Sequence, residues 1–136
     1  MDTEQRKAGL ERMRAYLPAL LPALRLQHWV ITVEDVLPDN EDASAQVRYN
    51  QHDWRALVRL SDYFLESPPS RQRLHLVHEL AHLYLRGIDV QHQALILHYN
   101  TNQWQLIDDR FTYEVELTVD ALACVVAPFL PLPPEA

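Results

Sequence analysis

The five residues His78-Glu79-Leu80-Ala81-His82 carry the most legible chemistry in this chain. On a helix, positions four apart lie one turn above each other on one face, so His78 and His82 can offer two imidazoles to a single ion. Glu79 stands beside the first imidazole, where its carboxylate can reach a water in an open coordination position. A bound zinc lowers the pKa of such a water and polarises a peptide carbonyl, while the carboxylate takes the proton. Two histidines alone would be a weak metal signal. The glutamate turns the pattern toward hydrolysis.

Independent placement of seven His and nine Glu among 136 residues gives an expected count of about 0.02 for this motif. Its setting adds weight. Leu74, Ala81 and Leu85 share the histidine face, and Leu76, Leu80 and Leu83 cover another side. A helix apolar enough to be buried needs partners for its titratable groups, and a metal is the simplest partner for two His and a Glu.

A catalytic zinc of this kind takes a third protein ligand from elsewhere in the fold. No third His follows closely, since the chain continues Leu83-Tyr84-Leu85-Arg86-Gly87, and His92 and His98 fall in a stretch with no clear helical pattern. Glu114, Glu116 and Asp120 are the acidic candidates. Glu116 and Asp120 share a helix face, so Glu116 as ligand leaves Asp120 one turn along, able to fix the tautomer of a ligating His. Glu114 would have Thr118 in that place, which makes Glu116 the expected ligand. Tyr84, His98, Tyr99 and Tyr113 remain open as donors to a developing oxyanion. His75 reads as solvent-exposed, Cys124 as a small buried apolar group, and Trp29, Trp54 and Trp104 as core or rim aromatics.

With these residues the chain resembles a gluzincin, a zincin peptidase with HExxH and a downstream Glu. Glu116-x-x-x-Asp120 is similar to the thermolysin-type Glu-x-x-x-Asp element, which implies Glu116 as zinc ligand and Asp120 as orienting group. The run from Glu116 to Pro128 also resembles the ImmA/IrrE-type pattern of small intracellular peptidases of phage, mobile elements and stress regulation, often acting on a repressor. The matched motifs cover roughly a quarter of the chain. Two departures stand out: Glu116 follows His82 by 34 positions (116 − 82), and Val115 stands where thermolysin-like enzymes have Asn.

The elements that must position these groups follow from periodicity and turn chemistry. A helix is expected over residues 2–16, capped by Thr3 and ended or kinked by Pro18 and Pro22. Strand patterns over 29–36, 45–49 and 54–60 predict a small sheet of about three strands, with Asn50-Gln51-His52-Asp53 joining the last two. The strand over 54–60, next to the motif helix, is the expected edge on which a substrate chain would pair. Ser67-Pro68-Pro69-Ser70 signals a helix start, giving a motif helix over 71–86 with Gly87 at its C-terminal cap. A last, ligand-bearing helix is expected from near Asp109 to Val126, stopped by the following prolines.

These elements describe one α+β domain over residues 1–136, a length at which roughly two-thirds of the unfolded surface can be buried. Two distant glycines exclude a phosphate-binding loop, and a net charge of −7 argues against a nucleic-acid partner. One cysteine, a polar N-terminus and no apolar run of membrane-spanning length predict a cytoplasmic protein without a membrane partner. The expected function is a zinc-dependent peptidase acting on a protein or peptide substrate. The alternatives are a zinc-binding regulatory or interaction module with little proteolytic activity, and a metal-free interaction domain.

Overall fold

The computed structural model describes residues 1–135 and has a mixed α+β architecture, as the patterning predicts. The first helix, α1 (Thr3–Leu20), is capped by Asp2 rather than Thr3: Asp2 accepts from the Gln5 N–H at 2.8 Å and Gln5 Oε1 returns a bond to the Asp2 N–H. It also runs past Pro18. The apolar stripe Leu10, Met13, Leu17 and Leu20 is fully buried, and its packing carries the last turn through the proline.

Three strands, β1 (Val30–Glu34), β2 (Ala45–Tyr49) and β3 (Arg55–Leu60), form a sheet of order β1-β3-β2. β1 lies parallel to β3, with Val30 opposite Arg55, and β2 lies antiparallel to it, with Val47 opposite Val58. The strand expected as the free edge is therefore the central one. Its core face explains this: Ala56, Val58 and Leu60 are buried, and a strand with neighbours on both sides hides that face best. β2 is the edge beside the motif helix.

A short helix, α2 (Asp62–Glu66), follows the sheet and takes Ser67 at its C-terminal cap, so Ser67 does not start the next helix. The motif helix α3 (Pro69–Ala81) begins directly on its prolines and ends five residues earlier than expected. His82–Leu85 tightens into a 3₁₀ turn, and α4 (Arg86–Ala94) follows with Gly87 inside its first turn, not at a cap. A second 3₁₀ turn, Leu95–His98, leads to α5 (Thr101–Val126). α5 starts eight residues before Asp109 because Asn100 and Gln103 form a capping box.

The core joins α1, the inner sheet face, Phe64 and Leu65 of α2, and Leu76, Val77 and Leu80 of α3. α5 packs across α3, with only Val119 and Ala123 buried along its length. Its C-terminal end is tied down through the chain that follows: Arg73 donates to the Leu130 carbonyl at 2.7 Å and Tyr16 to that of Pro131 at 2.5 Å. Among the described residues, no helix is long and apolar enough to cross a membrane.

Candidate metal centre

His78 lies in the last turn of α3 and His82 opens the 3₁₀ turn that follows, placing the two imidazole centroids 5.2 Å apart. α5 crosses above them and brings Glu116, whose Oε2 lies 3.3 Å from His78 Nε2 and whose Oε1 lies 3.4 Å from His82 Nε2. Ligand atoms of these three residues all fall within 4.8 Å of one another. One turn along α5, Asp120 Oδ1 sits 2.7 Å from His78 Nδ1. Glu114 turns away and pairs with Arg110 at 2.8 Å. Both separations from Glu116 exceed the roughly 2.7–2.9 Å of a charge-assisted hydrogen bond. They are close to the ~3.3 Å donor spacing of a tetrahedron whose metal bonds are about 2.0–2.1 Å.

The chemistry of the donor set fits a cation. A carboxylate only accepts, so the bond to Asp120 puts a proton on His78 Nδ1, and in the neutral imidazole Nε2 is then the nitrogen free to ligate. That nitrogen faces the Glu116 carboxylate, so a cation between them would satisfy both. Burial lowers the pKa of His82, favouring the neutral imidazole that ligates metal. Three such donors are the number that an open zinc site takes from the protein.

Glu79 is not among the donors. Its Oε2 accepts the backbone N–H of Val47 at 2.8 Å, and burial pushes its carboxyl up to about 7, against the opposing pull of His78 and of that hydrogen bond. Val47 lies on the outer edge of the sheet. Bonds from Ser61 N–H to Ser44 O and from Asn50 N–H to Arg55 O mark the even-numbered positions as those bonded to β3 and its flanks. Alternation then turns the N–H groups of Ala45, Val47 and Tyr49 outward.

Two concavities flank the donors. One, of about 260 Å³, is lined by Ala45, His75, His78, Glu79 and Asp120. The other, of about 170 Å³, is lined by Tyr49, His82, Asp89, Asp108, Phe111 and Glu116, among others. The 33 residues between His82 and Glu116 thus form the rest of the first 3₁₀ turn, α4, the second 3₁₀ turn and the first half of α5, and residues of α4 and α5 wall the second cavity.

The remaining candidates lie elsewhere. His92 is stacked between Phe111 and Trp104 and bonded to Asp108, and His98 ends the second 3₁₀ turn outside the donor group. Tyr84 donates to the Leu24 carbonyl, and Tyr113 projects into solvent. His75, expected in solvent, is half-buried and bonded to Ser44 Oγ at 2.7 Å. Cys124, expected to be buried, is exposed because the core face of α5 passes through Ala123 instead. Tyr49, Asp89 and Asp108 escaped the sequence reading, since nothing local marks residues that meet only through tertiary packing.

The chain matches no protein-family model, no curated protein and no solved structure.

Proposed function

We propose that this protein is a zinc-dependent peptidase of gluzincin type, with His78, His82 and Glu116 as zinc ligands, Asp120 orienting His78, and Glu79 as general base. The observation that carries the reading is the convergence of His78 Nε2 and His82 Nε2 on the Glu116 carboxylate, with Asp120 on the other nitrogen of His78 and a glutamate outside the donor group next to it. Bound there, zinc would supply Lewis acidity, acidifying a water and polarising a carbonyl. Glu79 keeps Oε1 clear of the Val47 bond, and that oxygen receives the proton during attack. A peptide or protein substrate adds to the outward edge of β2, whose Ala45 and Tyr49 N–H groups lie on either side of the Val47 that Glu79 engages. The single exposed cysteine suits a reducing compartment, and we place the enzyme in the cytoplasm, with neither nucleic acid nor membrane as partner.

Elemental analysis of the purified protein, paired with peptide hydrolysis by wild type and Glu79→Gln, tests the proposal. One zinc per chain and Glu79-dependent cleavage are expected; absence of zinc, or equal cleavage by the variant, refutes it. A second reading, a zinc-binding regulatory or interaction module with little proteolytic activity, is favoured by the engagement of Glu79 Oε2 with Val47. Zinc without turnover would select it.

A further inference from the structure

Resting on the peptidase reading above, we infer that the cavity between Tyr49, α4 and α5 receives a lysine or arginine side chain of the substrate, beside the bond to be cleaved. The cavity shares His82 and Glu116 with the metal donors, so whatever fills it lies next to the reacting centre. Its volume of about 170 Å³ holds roughly five or six waters at ~30 Å³ each, the scale of one side chain. Phe111 and Val115 give it an apolar wall, suited to the methylene stem of a long cationic residue.

Two carboxylates supply the polar end. Asp89 accepts the Tyr49 hydroxyl on Oδ2 at 2.7 Å, and Asp108 accepts His92 Nε2 on Oδ1 at 2.9 Å. Each tether fixes its carboxylate and leaves the other oxygen without a hydrogen bond among the described residues. No Lys or Arg lines the cavity, and none pairs with Asp89 or Asp108 among the described residues. Arg86, one turn before Asp89 on α4, is drawn off to the Asn50 and Gln51 carbonyls and lies over Trp54. The lining therefore carries two aspartates and no Lys or Arg, with Arg86 close enough to act on Tyr49 but bonded elsewhere, and an acidic substrate side chain there would meet like charge.

Zinc-loaded wild type is offered a peptide library, and the cleavage sites are read by mass spectrometry. Lys or Arg should dominate at one fixed position adjoining the scissile bond. Matched peptides carrying Lys or Glu there should differ in kcat/KM by roughly 10- to 100-fold. Asp89→Asn keeps an acceptor for Tyr49, so the fold is spared; the Lys-over-Glu ratio should fall about 10-fold, and Asp89→Lys should invert it. Cleavage with no cationic preference, or a preference that survives both substitutions, overturns the inference and leaves the peptidase reading standing. If wild type cleaves nothing, the peptidase reading falls, and fluorescence anisotropy with the same peptides decides the subsite alone. Asp89-dependent binding of the Lys peptide over the Glu peptide upholds it, and equal binding overturns it.

Discussion

Val47 donates its backbone N–H to Oε2 of Glu79 at 2.8 Å, joining the outer edge of the sheet to the carboxylate beside the metal donors. One residue thus faces both the strand that a substrate would extend and the position a zinc-bound water would occupy. Glu79→Gln keeps an acceptor for Val47 but no longer takes a proton. It should hold zinc and fold like wild type while losing about 10²–10⁴-fold in peptide hydrolysis. Metal analysis and kcat/KM on one peptide check both halves.

Which face of α5 meets α3 is a claim that zinc titration can rank. Glu116→Ala, His78→Ala and His82→Ala each remove a donor from the group of three and should abolish stoichiometric binding. Asp120→Ala frees His78 to reorient and should weaken zinc by 10–100-fold. Glu114→Ala breaks only an exposed pair with Arg110 and should be nearly silent. A larger loss from Glu114 than from Glu116 would rotate the helix in the wrong direction for this assignment.

The buried carboxyl of Glu79 makes the metal-free protein sensitive to pH. Its pKa is raised to about 7 in the folded chain, so folding favours the protonated form. The stabilising contribution is complete below the unfolded value near 4.5 and is lost as pH rises through about 7. Burial lowers the pKa values of His75 and His82, which act in the opposite sense but are common to wild type and Glu79→Gln. The stability difference between those two proteins, from urea unfolding in chelator, should therefore shift against wild type between pH 5 and pH 8, by no more than about 3 kcal/mol. A difference that is flat across this range contradicts the burial of Glu79.

α5 carries Glu116 and Asp120 yet buries only Val119 and Ala123. Zinc bound by His78, His82 and Glu116 would bridge α5 to α3 and add to what holds the two helices in register. At a free zinc concentration of 100 times Kd the added stability is about 2.7 kcal/mol, on the order of 10 °C in Tm for a chain this size. Chelation should lower Tm by that scale and raise hydrogen exchange in the middle of α5 before it does so in the sheet. Unchanged exchange there would mean that the helix is held without metal.

The parts of the site that were legible were those set by local geometry. His78 and His82 follow from a four-residue spacing, and the pairing of Glu116 with Asp120 follows from the same rule on a second helix. The capping box of Asn100 and Gln103 was also in the sequence, masked by the apolar turn before it. Strand order was not legible, because whether β3 is central depends on which of its sides finds a partner across the fold. The tightening at His82 and the meeting of Asp89 with Asp108 around one cavity are likewise products of packing between distant segments.

An unpaired strand edge is also a surface on which identical chains can stack, and natural sheets guard such edges with charge. Glu79 meets the outward N–H of Val47 with a carboxylate, so the residue assigned to proton transfer also occupies the one backbone donor at the middle of that edge. Glu79→Ala removes that guard and bares a backbone donor at the middle of β2. It should form concentration-dependent oligomers by light scattering at concentrations where wild type and Glu79→Gln stay monodisperse relative to it, and equal scattering from all three would show that the edge is protected by other means.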